Sequence, residues 1–192
     1  MNTFSIVLFI HVLSAIALFV GIAFEGAILI RLRMSANLEQ LKLAVGSSRR
    51  LGAVYGPAFL GILLGGIYLA AQLHIRAAWV PTALGGTLLM GVVSGTTTQR
   101  VMSRMRKTLA QNGSSFDSVA PLLRANALIV SYGCRAGLAI GIVFLMSATP
   151  PLVPSLAALV IGSGLGILFA LRLRRIPASD LKPSQPTAAA RI

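Results

Sequence analysis

The sequence predicts an all-α fold, a polytopic bundle of about five transmembrane helices. Of the 192 residues, 56% are hydrophobic and only 11% are charged, whereas a soluble domain carries about a quarter charged residues. The charged residues also cluster between long apolar runs instead of alternating with them. Such a chain has lipid as its solvent, where helices satisfy the backbone hydrogen bonds. We therefore expect one membrane domain whose first partner is the lipid bilayer.

Five apolar segments are each near the roughly 20 residues needed to cross a hydrocarbon core. They form a predicted transmembrane domain over 1–175, and the tail that follows, 176–192, has a Pro, Ser, Ala and Thr content that predicts disorder. The start of the chain lacks the positive region of a signal peptide, so we expect the first segment to be retained. The predicted helices span about 4–30, 51–73, 79–98, 128–148 and 152–171.

Two connections between these segments have a predicted structure. Residues 35–45 begin with a plausible N-cap serine and carry Leu38, Leu41 and Val45 at helical spacing. We expect them to form a helical extension, which could lie in the membrane interface. Pro150–Pro151 forms a tight turn, which makes the fourth and fifth helices antiparallel neighbours.

Basic residues are distributed unevenly between the two sides of the predicted bundle. Of the 17 Lys and Arg residues, five lie in each of three segments, 31–50, 99–127 and from 172 onward. The other connections hold only Arg76. Because basic loops stay in the cytoplasm, five crossings place the N-terminus outside and the C-terminal tail inside.

The same asymmetry explains the formal net charge of +13. Basic residues at the ends of apolar segments face anionic lipid headgroups on the cytoplasmic side. No aromatic-interleaved basic patch or nucleic-acid motif accompanies them. We therefore expect a membrane protein that binds no nucleic acid.

Glycines recur at mostly four-residue spacing along the predicted helices. Small side chains on one helix face let two backbones approach closely, which is the main adhesive between helices in lipid. We expect these faces to pack within the protein, with a homo-oligomer through the same faces as the alternative. The glycines are Gly52, Gly56, Gly61 and Gly65, then Gly91 and Gly95, then Gly133, Gly137 and Gly141, and finally Gly162 and Gly166.

Glu25 is the only acidic residue inside an apolar segment, about 8 Å from the cytoplasmic end of the first helix. Arg135 lies about seven residues inside the fourth segment from the same side, at a matching depth. An unpaired charge there costs at least a few kcal/mol, so we predict a structural ion pair between Glu25 and Arg135. The alternatives are an Arg135 that extends to the headgroups and a protonated Glu25.

His11 lies on the first helix, roughly 10 Å below the outer surface, and an intramembrane histidine is a functional candidate. It could bind haem or copper as a cofactor, accept a proton, or simply hydrogen-bond to a neighbouring helix. Met90 on the third helix lies near the same level, and an imidazole with a thioether suits Cu(I). His74, the other histidine, is too far along the membrane normal for an easy bis-histidine haem. The candidate metal ligands are thus His11 and Met90.

No catalytic residues emerge from the sequence, and we expect no enzymatic activity. A Gly-rich phosphate loop, a Ser–His–Asp set, paired carboxylates and an HExxH zinc motif are all missing. Cys134 is the single cysteine, so the chain has no internal disulfide and no thiol metal cluster.

Residues 10–21, Ile-His-Val-Leu-Ser-Ala-Ile-Ala-Leu-Phe-Val-Gly, with Glu25 and Gly26 after them, resemble the first helix of a family of bacterial integral membrane proteins, the domain-of-unknown-function 2269 family. That family shares a histidine-then-glycine first helix with the copper-resistance protein D group. Of the copper-resistance pattern, His11 and Gly21 are present here and the further histidines are absent. The resemblance implies a multi-pass protein of the bacterial inner membrane.

We therefore expect a small integral membrane protein that acts as a non-enzymatic subunit or scaffold. The alternative is a carrier of copper, haem or protons centred on His11.

Overall fold

The structure is a computed structural model that describes residues 2–35, 37–75, 77–111 and 126–173, without the side chains of 49, 50 and 173. The predicted tail, 176–192, lies outside the described residues. All regular secondary structure within these ranges is helical, as the sequence predicts. The elements are α1 (Thr3–Met34), α2 (Leu38–Gln72), α3 (Trp79–Val93), a π-helical turn (Ser94–Thr98), α4 (Gln99–Leu109), α5 (Asn126–Ala148) and α6 (Leu152–Leu173).

Four of these helices, α1, α2, α5 and α6, are long and apolar enough to cross a membrane. The third predicted crossing consists of two elements, the 15 residues of α3 and the 5 residues of the π-turn, and α4 begins directly after them. The helical backbone nevertheless runs on from Trp79 to Leu109.

The helical extension predicted at 35–45 is the first part of α2 from Leu38 onward, and it does not lie in a membrane interface. The helix begins at Leu38, where the Asn37 side chain accepts a hydrogen bond from the Gln40 N–H at 2.9 Å, and it continues without a break to Gln72. Leu41 and Val45 are buried against other helices instead of facing a membrane surface. At 35 residues, α2 is about 52 Å long, well beyond the roughly 30 Å of a hydrocarbon core.

The helices form two antiparallel hairpins, α1 with α2 and α5 with α6, and these two pairs share the most extensive contacts in the described chain. Helix α3 packs mainly on α5 and thereby joins the hairpins. Direct contact between α1 and α5 is much smaller. A bond between α1 and α5 therefore adds a direct link between the hairpins to the one that α3 provides.

We call the end of the bundle that holds Met34, Leu38 and Leu109 the basic end, and the end that holds the turns at 73–75 and 149–151 the turn end. A turn-side cluster of apolar side chains fills the interior nearer the turn end, and a basic-side cluster fills the other half. The turn-side cluster contains Leu18, Ile22, Ala58, Ile62, Ala83, Met90, Leu138, Ala139, Ile142, Leu145 and Leu159. The basic-side cluster contains Ile28, Leu29, Leu32, Leu41, Ala44, Val45, Met102, Met105 and Leu128.

The outward faces of the bundle are also apolar. Large side chains such as Phe9, Phe24 and Phe169 are each at least 60% exposed. Contiguous apolar surface on this scale marks a protein that meets something other than water.

Helices α5 and α6 approach each other through glycine. A Cβ added at Gly162 would lie 2.7 Å from the Gly137 carbonyl oxygen, and one at Gly133 would lie 2.5 Å from the Gly166 carbonyl oxygen. Backbone atoms cannot move aside as flexible side chains can. These glycine faces are therefore in use inside the protein, as the spacing predicts.

Glycines elsewhere divide into packed and open positions. Gly61 lies against the Ser14 side chain, and Gly91 lies against the Phe59 ring. Gly52, Gly56 and Gly95 have open space where a Cβ would be. An oligomer through the α6 glycine face would have to compete with α5, and homo-oligomerisation stays a prediction.

We expect Gly162→Ala to lower the free energy of unfolding by about 1–3 kcal/mol, as overpacking typically does. Gly164→Ala is the matched control, since it lies two residues away on α6 with open space around it. Thermal unfolding in detergent compares the two. Equal melting temperatures would contradict the tight α5–α6 contact.

Candidate functional site

Glu25 on α1 and Arg135 on α5 form a bidentate ion pair in the interior of the bundle. Arg135 Nη1 donates to Glu25 Oε2 at 2.8 Å, and Arg135 Nη2 donates to Glu25 Oε1. Glu25 is 6% exposed and Arg135 is 2% exposed. The structure thus brings together the two residues whose pairing the sequence predicts, and Arg135 does not extend to the surface.

Hydroxyl groups extend the hydrogen bonding of this pair. The Tyr55 hydroxyl on α2 donates to Glu25 Oε2 at 2.9 Å. Arg135 Nη2 also donates to Thr98 Oγ1 at 3.2 Å, and Thr98 Oγ1 lies 3.0 Å from Ser131 Oγ. We call these five residues the polar layer.

The polar layer separates the two apolar clusters. On α1, Glu25 lies between Ile22 of the turn-side cluster and Ile28 of the basic-side cluster. On α5, Arg135 lies between Leu138 and Leu128 in the same way. Aliphatic packing on both sides makes the unpaired state of either charge expensive.

Two glycines of α1 make room for tyrosine rings beside the layer. A Cβ at Gly21 would lie 3.2 Å from the Tyr55 ring, and one at Gly26 would lie 2.6 Å from the Tyr132 hydroxyl. Because glycine stands at both positions, α2 and α5 can bring these rings close to Glu25.

The sequence does not predict three members of the layer, namely Tyr55, Thr98 and Ser131. For Ser131 a signal was present, since it lies four residues before Arg135 and shares its helix face. Tyr55 and Thr98 carry no such signal, because hydroxyl groups in an apolar segment are common and only tertiary contact shows their partner.

His11 is buried, with 9% of its surface exposed, and it lies against α2. A Cβ added at Gly65 would be 3.2 Å from its Nδ1 atom, and one at Gly66 would be 3.4 Å from its Cε1 atom. The Nδ1 atom has no hydrogen-bond partner within the described part of the chain. The expected hydrogen bond from a neighbouring helix is therefore not seen at this nitrogen.

The other candidate ligands lie in different surroundings. Met90 is 4% exposed and belongs to the turn-side cluster. His74 is exposed in the turn after α2, with a left-handed φ of 50°. Among the described residues, no three His, Cys, Asp or Glu side chains are close enough to hold a metal ion.

The chemistry available to the polar layer follows from its balance of charge. One carboxylate and one guanidinium neutralise each other, and the Tyr55 and Thr98 hydroxyl groups bond to one member each. The Arg135 Nε atom is buried and has no partner among the described residues. The layer can hold helices together and bind small polar molecules at its edge.

Comparison with known proteins adds no relative: no family model, no curated protein and no solved structure matches the chain.

We expect Arg135→Met alone to lower the free energy of unfolding by about 3–5 kcal/mol, since it leaves a buried carboxylate without a counter-charge. The double variant Glu25→Gln/Arg135→Met should recover most of that loss, because the introduced amide is neutral and still accepts from the Tyr55 hydroxyl. Arg104→Met, at an exposed position on α4, is the control. Unfolding in detergent measures all three, and a double variant less stable than Arg135→Met would contradict a coupled pair.

A smaller effect is expected for Tyr55→Phe. This change removes one hydrogen bond to a charged group, which contributes about 1.5–3 kcal/mol, and leaves the ion pair itself in place. In the Glu25→Gln background the same substitution should cost less, because the acceptor is no longer charged. An equal loss in both backgrounds would mean that the Tyr55 ring, and not its hydroxyl, stabilises the bundle.

Proposed function

We propose that the chain is an integral membrane protein of five crossings that acts as a non-enzymatic membrane subunit or scaffold. Two features together carry this proposal. The exterior is apolar, and the one ion pair among the described residues lies in the interior, where side-chain hydroxyl groups hydrogen-bond to both of its members. A bundle whose buried charges bond to each other is built to keep its shape.

The third crossing, which we propose to run from Trp79 to Thr98, completes the odd number. Its 20 residues combine α3 and the π-turn and match the length that a hydrocarbon core requires. Like the other helices, it places large apolar side chains outward, among them Leu88, Leu89 and Val92, each at least 50% exposed.

We place the basic end in the cytoplasm. Exposed basic residues close α1 at Arg31 and Arg33, line α4 at Arg100 and Arg104, and close α6 at Arg172. This asymmetry supports an N-terminus outside the cell and contact between the basic end and anionic headgroups. The resemblance of residues 10–26 to bacterial membrane proteins supports the bacterial inner membrane.

A structural role fits the interior better than passage of a solute from end to end. His11 and Glu25 are 14 residues apart on α1, which is about 21 Å. The buried α1 side chains between them include Leu18 and Ile22 of the turn-side cluster. An aliphatic interior of this length supports a fixed bundle.

A carrier of copper, haem or protons centred on His11 is the second candidate. The observation that favours it is the buried Nδ1 atom without a hydrogen-bond partner among the described residues. The residues present do not fit a metal or haem well, since the His11 ring packs against the α2 backbone at Gly65 and Gly66 and Met90 packs among aliphatic side chains.

The orientation can be tested with single cysteines in a Cys134→Ala background. We expect Thr149→Cys, at the turn end, to react with a membrane-impermeant thiol reagent in intact cells. Gln111→Cys, at the basic end, should react only after the cells are opened. Labelling of both positions from one side would overturn the odd number of crossings.

Purified protein in detergent should be colourless and free of stoichiometric copper, and its spectrum should not change in His11→Ala. A Soret band or one equivalent of copper that disappears in His11→Ala would establish the second candidate in place of the first.

A further inference from the structure

A small cavity lies beside the polar layer on the side of the basic end. It has a volume of about 30 Å³ and is enclosed by α1, α2, the π-turn and the beginning of α4. Apolar residues of the basic-side cluster, including Ile28 and Met102, form part of its wall. Its polar lining consists of Glu25, Ser48, Tyr55, Ser94, Thr98 and Gln99.

The size and lining of this cavity suit water. A site needs about 10–15 Å³ of such volume to hold one water molecule, together with two to four polar partners, so this cavity has room for two. The Glu25 carboxylate can also accept a further hydrogen bond from a water molecule in the cavity. A carboxylate presents about four lone-pair positions, and the donors described for it are the Tyr55 hydroxyl and the two Nη groups of Arg135.

The cavity is buried at Glu25 and accessible at its other end. Glu25 and Thr98 are buried, Ser48 and Ser94 are half-buried, and Gly52 and Gln99 are exposed. Ser48 lies seven residues, about 10 Å, from Tyr55 in the direction of the basic end. Toward the turn end, the aliphatic turn-side cluster closes the interior. Access to Glu25 is therefore from one side.

The π-turn shapes the wall of the cavity. The Gln99 N–H donates to the Ser94 carbonyl oxygen, five residues back, and both Ser94 and Thr98 line the cavity. Thr96, in the same turn, is exposed on the outside and bonds to the Val92 carbonyl oxygen at 2.7 Å. Turns of this kind within α-helices occur frequently at functional sites.

We propose that this cavity is a water-filled inlet that leads from the basic end to Glu25, so that the Glu25–Arg135 pair is hydrated from one compartment only. The charged and titratable groups that interact with Glu25 from the packed helices are Tyr55 on α2 and Arg135 and Tyr132 on α5. This inlet goes beyond a scaffold role, because it gives one buried charge pair contact with a single aqueous side.

The test measures the reaction of single cysteines with a charged, water-soluble thiosulfonate in proteoliposomes, in the Cys134→Ala background. Ser94→Cys lines the inlet, and Thr96→Cys, two residues away on the outer face, is its matched control. Only a hydrated thiol ionises readily, so we expect Ser94→Cys to react at least about tenfold faster. Gln99→Cys at the mouth provides a second probe should Ser94→Cys fold poorly.

A plug at the mouth tests whether the water enters from the basic end. Gly52 lines the cavity and has open space at its Cβ position, and Gly56, one turn along α2, has open space but does not line the cavity. We expect Gly52→Leu to slow the labelling of Ser94→Cys by about tenfold, as loss of hydration would. Gly56→Leu should leave the rate unchanged.

The inlet and the proposed membrane topology fail in different ways. If Gln111→Cys and Thr149→Cys react from opposite sides but Ser94→Cys reacts no faster than Thr96→Cys, the inlet is wrong and the topology stands. If Ser94→Cys reacts from the side of Thr149→Cys, the direction of the inlet is wrong. If Gly52→Leu and Gly56→Leu act equally, the mouth does not lie at Gly52.

Discussion

A charge buried among aliphatic side chains has to meet its counter-charge, and the rest of this bundle is arranged around that requirement. Glu25 belongs to the α1–α2 hairpin and Arg135 to the α5–α6 hairpin, and their helices otherwise share little contact. The pair therefore connects two units that each hold together by their own packing. The desolvation cost of either charge alone makes separation of the hairpins unfavourable, which gives the pair a role in register as well as in stability.

Within each hairpin, cohesion depends on how closely the backbones approach. Gly137 and Gly162 bring α5 and α6 into backbone contact, and Gly61 accommodates Ser14 between α1 and α2. Short distances increase the dispersion contacts on which helix association in lipid relies. Gly21 and Gly26 of α1 likewise let α2 and α5 pack close to Glu25. Glycine packing and charge pairing therefore act together, since a displaced α5 would carry its guanidinium away from Glu25.

The chemistry of individual residues explains which members of the polar layer could be predicted from the sequence. Glu25 and Arg135 stand out in the sequence because each is a lone charge in an apolar segment, and equal depth alone suggests that they meet. Tyr55 and Thr98 could not be assigned, since their rotational positions depend on how α2 and the π-turn face α1. The position of the extension at 35–45 depends on packing in the same way, because Leu41 and Val45 could face a membrane interface until α1 and α4 cover them.

By itself the sequence determined the all-helical class, the approximate helix positions, the glycine faces and the residues of the ion pair, because all of these follow from hydrophobicity, helical period and the cost of a lone charge in an apolar segment. Only the tertiary structure decided which hydroxyl groups join the pair, that His11 lies against Gly65 and Gly66, and that a cavity reaches Glu25 from the basic end. The physical reason is that these features depend on the distances and rotations between helices, which packing sets and which no single segment encodes.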